Sequence, residues 1–334
     1  NTQFGRFLQI LLPCLKMWLL AVACCTWSAM AAIPVVIDSD LGQDMDDVWN
    51  IGYLLSSKEV DVRLIVTSSR CTRGKAELLA RYLTDVGRAD VSIGVGIPTS
   101  PVFGKGGEHW CNGTGRETGC SEGFFVGPAA PYAQSFQLTN YSGQVHLDGV
   151  KAIADLASER TDVRLIAIGA FTNLAALQSR FPGILGSMHL IAMAGSINLG
   201  WRAAEPQTAE YNVKTDTAAS RSVFRGASSW RSFTIAPLDT CGDLQLTGVD
   251  FQKFLGAAKS GAVAFSILRQ YEVWYASGCA HHVYCSPAVY EYTPTLASTT
   301  LFDVQPAYMV AAPGAFSHFL VETMQLDVNG TGFL

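Results

Sequence analysis

Five carboxylates fall within ten residues near the start of this chain: Asp38, Asp40, Asp44, Asp46 and Asp47. They follow directly on an apolar, β-branched run at 33–37, with Gly42 among them. Like charges crowded against a buried strand end repel one another and are poorly screened. A bound cation relieves that repulsion, and an oxygen-only donor set without cysteine or histidine favours calcium or magnesium. An EF-hand does not fit. It needs a preceding helix and a glutamate at its twelfth position, whereas a strand precedes this segment and the twelfth residue from Asp38 is Trp49. A phosphatase built on Asp-x-Asp also starts from a strand, but it needs a later Ser/Thr motif and lysine that the chain does not supply. Farther along stand other residues able to do chemistry: Thr172, Glu210, Asn212 and Asp303, and a run at 274–284 holding Trp274, Tyr275, His281, His282 and Tyr284.

These residues need a scaffold, and the pattern predicts one. Strands are expected at 33–37, 62–67, 91–95, 163–168, 188–193, 232–236 and 318–322. Helices are expected at 74–86, 148–158, 172–181, 216–224 and 262–276. Short β-branched runs alternating with helical periodicity predict an α/β fold: a single domain with a mainly parallel sheet flanked by helices. Ligands in such sheets bind at the carboxyl ends of the strands, where the acidic segment lies. Residues 98–145, rich in Gly, Ser, Thr and Pro, read as a long surface insertion.

The chain has 334 residues, 49% of them apolar and 15% charged, with a formal net charge of -5. Nothing in it is arranged to neutralise phosphates, so nucleic acid is excluded as a partner and a small-molecule substrate is expected. Residues 1–32 read as a secretory signal peptide: Lys16, an apolar run at 17–25, then Ala29, Met30 and Ala31. Met17 is an alternative start, which would make 1–16 an upstream extension. An uncleaved anchor is the competing reading, but Pro13 and Lys16 interrupt the apolar stretch, so no stable membrane anchor is expected. Losing the leader leaves six cysteines, Cys71, Cys111, Cys120, Cys241, Cys279 and Cys285. In an exported chain these suggest disulfides. The near pairs are Cys111/Cys120 and Cys279/Cys285, which would leave Cys71 with Cys241. Asn112, Asn140 and Asn329 begin glycosylation sequons.

Seven motifs in order carry a family resemblance. The acidic segment has the form Asp-x-Asp-x-Gly-x-Asp-x-Asp-Asp. After it come Gly169-Ala170-Phe171-Thr172-Asn173, Met193-Ala194-Gly195, Ala209-Glu210-Tyr211-Asn212 with Asp216, Pro237-Leu238-Asp239, Leu301-Phe302-Asp303, and Val321-Glu322-Thr323. From residue 33 onward the chain resembles the inosine–uridine-preferring nucleoside hydrolases. The resemblance implies a Rossmann-like nucleoside hydrolase fold over 33–334 and an N-glycosyl hydrolase that releases base and ribose from a nucleoside. It implies a Ca2+ ion held by Asp40, Asp47, the Thr172 carbonyl and Asp303. Asp46, Glu210 and Asn212 would hold the ribose hydroxyls, and Asp40 would act as base toward the attacking water. A homo-oligomer is compatible with it.

The pattern is not followed everywhere. Leu41 and Ala170 stand where prolines are common, Cys71 where the family usually has Asn or Asp, and Phe302 where many members carry a histidine linked to protonating the departing base. The chain also ends early relative to the family, which implies a C-terminal truncation. Two alternatives follow, a secreted nucleoside-binding relative with little catalysis and, more remotely, a magnesium-dependent phosphatase. Because Phe302 cannot donate a proton, the 274–284 segment is the expected base-side wall of the pocket, with Trp274 stacking on the base and His281 or His282 as the acid. The competing reading puts these aromatics in a helix core and both histidines on the surface.

Overall fold

A computed structural model describes residues 32–99, 127–133, 135–280 and 293–312. Its centre is a seven-stranded sheet: β1 (Ile33–Ser39), β2 (Val60–Thr67), β3 (Ser92–Gly94), β4 (Val145–His146), β5 (Arg164–Ala167), β6 (His189–Met193) and β7 (Ser232–Ala236). The strand order is β4-β3-β2-β1-β5-β6-β7 and every pairing is parallel. The strands are apolar because both faces of the sheet are covered. Successive side chains point to opposite faces. Val35 and Ile37 therefore enter one core with Ile166 and Ile191, while Val36 enters the other with Leu165 and Leu190.

Helices α1 (Asp46–Ser56), α2 (Thr72–Asp85), α8 (Gly248–Ala257), α9 (Ala262–Ala280) and α10 (Val304–Ala311) supply the first core. Helices α3 (Gly149–Glu159), α4 (Thr172–Arg180), α5 (Tyr211–Thr215) and α6 (Thr217–Arg225) supply the second. A short helix, α7 (Leu238–Cys241), follows β7. Start signals legible in the sequence are used as such: Asp148 accepts from Lys151 N at the head of α3, and Asp216 from Ala219 N at the head of α6.

The expected elements at 33–37 through 262–276 are all present, most with ends shifted by a few residues, and the fold is the expected parallel α/β sheet. The acidic segment is partly helical: α1 starts at Asp46, so Asp46 and Asp47 occupy its first turn. Carboxylates there meet the positive end of the helix dipole. The described part of the expected insertion is anchored rather than loose. Tyr132, Leu138 and Tyr141 are buried, and the Tyr141 hydroxyl donates to Val91 O at 2.5 Å. The strand expected at 318–322 lies outside the described residues.

Candidate active site

Strand order places the site. The chain lays β2, β3 and β4 on one side of β1, then crosses to place β5, β6 and β7 on the other. The crevice at the carboxyl ends of β1 and β5 is the topological switch point of the sheet. The acidic segment leaves β1 there, and Thr172 follows β5 there.

Asp38 is the penultimate residue of β1. Its Oδ2 accepts from Asn173 Nδ2 at 2.7 Å; the same nitrogen donates to Thr67 O, and Asn173 Oδ1 accepts from Ile97 N. Through the Asn173 amide, Asp38 thus ties β1 to β2 and α4. Burial pushes its pKa up to about 7, against the lowering effect of Asn173. Next, the Ser39 hydroxyl donates to Asp47 Oδ1 at 2.6 Å. Gly42 turns the chain at φ 102°, a conformation that favours glycine.

Three carboxylates then converge. Asp46, Asp47 and Asp303 offer oxygens that all lie within 4.8 Å of one another. Asp303 stands at the N-cap of α10, but its side chain makes no capping bond. Asn50 of α1 donates to the Asp303 carbonyl at 2.7 Å and so joins the two helices. Asp303 Oδ1 is buried without a hydrogen-bond partner. Burial, then repulsion from neighbouring aspartates, holds all three carboxyls well above the ordinary range.

Asp40 is buried beside this trio but is not one of its three members. Burial raises its pKa, and the charges of Lys75 and Arg70 oppose the rise. Lys75 comes from the first turns of α2, is wholly buried, and donates through Nζ to the Asp40 carbonyl. The Gln43 amide sits 2.9 Å from the Tyr211 hydroxyl and, with its oxygen toward Arg70, accepts from Arg70 Nε at 2.7 Å.

Glu210 is buried at the N-cap of α5, not a surface acid. Its carboxylate accepts from the backbone N–H groups of Asn212 (2.7 Å), Gly195 (3.0 Å) and Val213 (3.1 Å). Asn212 Nδ2 donates to Met193 O at 3.2 Å, so Glu210 and Asn212 both brace the end of β6. Thr172 opens α4 with Phe171 as its N-cap, and its hydroxyl donates to Asp216 at 2.6 Å.

Trp274 is 1% exposed and packs from α9 into the first core; its Nε1 donates to Gln43 O at 2.8 Å and so ties α9 to the acidic segment. His281 and His282 lie outside the described residues. Phe302 packs edge-on against Trp201, with ring centroids 5.5 Å apart. Cys241 is a free, buried thiol, which overturns the pairing of Cys71 with Cys241. Sequence reasoning missed Lys75, Arg70 and Asn50. A lysine or arginine on an amphipathic helix start reads as solvated, and only the fold shows which carboxylates it faces.

The donor set suits a hard divalent cation: oxygens only, buried, mutually repelling, one of them unpartnered. A parallel sheet covered on both faces, with such acids at its switch point, is the build of a metal-dependent α/β enzyme. The chain belongs to the inosine-uridine preferring nucleoside hydrolase family, whose model matches residues 35–332. It is 25% identical over 308 residues to the non-specific ribonucleoside hydrolase RihC of Klebsiella pneumoniae, covering 89% of each chain. Among solved structures it resembles a purine-preferring ribonucleoside hydrolase from Gardnerella vaginalis (TM-score 0.62, 18% identity, 90% of this chain and 86% of that one). It also resembles the plant nucleoside hydrolase PpNRh1 (TM-score 0.58, 18% identity, 84% and 79%). The chain is therefore a hydrolase of nucleosides in a metal-dependent family, and the phosphatase and binding-only alternatives gain no support.

Proposed function

We propose that the protein hydrolyses the N-glycosidic bond of ribonucleosides with a Ca2+ ion held by Asp47, Asp303, Asp40 and the Thr172 carbonyl. The observation that carries this is the meeting of Asp303 with Asp46 and Asp47, its Oδ1 left without a partner inside the protein. The ion, when bound, lowers the pKa of the attacking water and orients the ribose diol. Asp40 would take the proton from that water. Asp46, adjacent to the ligands, accepts from the ribose hydroxyls, as do Glu210 and Asn212 from the β6 side. Bond breaking at C1′ builds positive charge on the ribose, and the surrounding carboxylates stabilise it. His281 or His282 protonates the departing base. Trp274 serves this site by holding the acidic segment, not by stacking.

The test is ribose release from inosine and uridine, with and without a chelator, for the wild type and Asp47→Ala. Loss of turnover on chelation and in the variant, with the fold intact, supports the reading; full activity of Asp47→Ala after chelation overturns it.

Export through the 1–32 leader belongs to the same proposal. It rests on the sequence pattern of the leader, and Asn140 of one sequon is exposed. The mature protein is expected to begin near residue 33, to carry glycan and to keep Cys279 and Cys285 oxidised. Mass spectrometry showing an intact leader, or alkylation of both thiols, would count against it.

A further inference from the structure

We propose that Lys75 is a resident counter-cation of the carboxylate cluster: it shares Asp40 and Asp47 with the divalent ion, keeps the acidic segment folded when the ion is away, and loosens the ion's hold when it is bound. The inference rests on the metal reading above and concerns a residue to which that mechanism gives no ligand role.

Lysine is almost never fully buried unless it is paired, and Lys75 has no exposed surface. Its position makes burial costlier still. It is the fourth residue of α2, near the end where the helix dipole is positive and repels a cation. Arg70 adds a second repulsion. What offsets these costs lies on the other side of the ammonium group: the Asp40 carbonyl that it donates to, and the Asp40 and Asp47 carboxylates whose charges act on it. Those two side chains are ligands in the proposed metal site. The ammonium group and a divalent ion therefore draw on the same negative charge.

Two consequences follow from that sharing. With the ion absent, Lys75 is the buried positive charge closest to hand for a segment of five aspartates, so it limits their mutual repulsion. With the ion present, Lys75 repels it, and binding is weaker than the carboxylates alone would give. A purely structural lysine would have the opposite signature, because losing it would disorder the ligands and weaken binding.

The experiment is isothermal titration of Ca2+ into the chelator-stripped full chain, wild type against Lys75→Met, with thermal melts of both forms. Lys75→Met is expected to bind Ca2+ about tenfold more tightly or better, to melt lower than wild type without the ion, and to gain more from it. A variant that folds only once Ca2+ is added is the extreme of the same result. Lys75→Gln should move in the same direction. Affinity equal to or weaker than wild type, or a variant unfolded even with Ca2+, overturns the inference. A wild type that binds no divalent ion overturns the metal reading itself, and this inference with it; a wild type that binds while Lys75→Met matches it overturns only the role of Lys75.

Discussion

Glu210 and the Asp46–Asp47–Asp303 trio are buried carboxylates on one crevice, yet the fold treats them in opposite ways. Glu210 is met by three backbone N–H groups at 2.7–3.1 Å. Burial still raises its pKa, but those donors pull it back down. In the trio, Asp47 receives the Ser39 hydroxyl, Asp303 Oδ1 receives nothing, and like charges push every pKa farther up. The difference separates acids that the fold itself satisfies from acids that wait for a partner. The first kind holds structure together, and the second stores repulsion that a cation releases.

The largest expected effect breaks the second kind. Asp303→Asn removes one charge from the trio and keeps the side-chain shape. It should abolish Ca2+ binding and lower turnover about a thousandfold or more, since a metal supplies several kcal/mol to such transition states. Without metal it should melt no lower than the metal-free wild type. Titration calorimetry and thermal melts check both, and a variant that still binds the ion would erase the distinction drawn here. Glu210→Ala should lose its ribose contact too, but unlike Asp303→Asn it should also strike the fold. Three buried N–H groups lose their acceptor, so stability falls by about 3 kcal/mol or more in chemical denaturation, with or without Ca2+. An unchanged denaturation midpoint would show that the backbone donors find other partners.

A pH series sharpens the contrast. A carboxyl whose pKa is raised on folding binds more protons folded than unfolded, so it destabilises the fold as pH rises above the unfolded value. Burial places Asp44 at about 6 and Asp38 at about 7 from an ordinary 3.8. The metal-free protein should therefore lose melting temperature steadily as pH rises from about 4 to about 7. Calcium should flatten that slope above about pH 6, because the ion favours the ionised trio. Melting curves with and without chelator measure it, and a metal-free slope of the opposite sign would contradict the raised values.

The sequence made this contrast only half legible. Asp46 and Asp47 announced a cation by number and spacing, because five acids after an apolar strand have few other uses. Their place in the first turn of α1 did not stand out, since acids suit a helix's first turn and a metal-binding segment alike, and the apolar face that decides it begins only with Val48, Ile51 and Leu54. Asp303 could be read only by resemblance, because its partners lie more than 250 residues away in the chain. Glu210 in isolation looks like any surface acid; what distinguishes it is the closure of Gly195 onto it, a tertiary fact. Lys75 shows the same limit with the charge reversed.

Trp274 gives the smallest and most discriminating test. Sequence placed it on the base-side wall, whereas the structure buries it and uses its N–H on the Gln43 carbonyl. Trp274→Phe keeps an aromatic ring in the core and deletes the donor, so the half-buried Gln43 carbonyl loses one hydrogen bond. That costs about 1–3 kcal/mol at a backbone acceptor, and part of the cost falls on the acidic segment it fastens. A fastening role changes the metal site equally for every substrate, so kcat/KM should fall by a similar, several-fold factor for inosine and uridine, with Ca2+ affinity falling alongside. A stacking role would instead strike the purine harder, because the larger base has more face to lose, and would leave Ca2+ affinity untouched. Parallel losses for the two nucleosides place Trp274 behind the acids. A purine-selective loss at constant Ca2+ affinity returns it to the pocket wall.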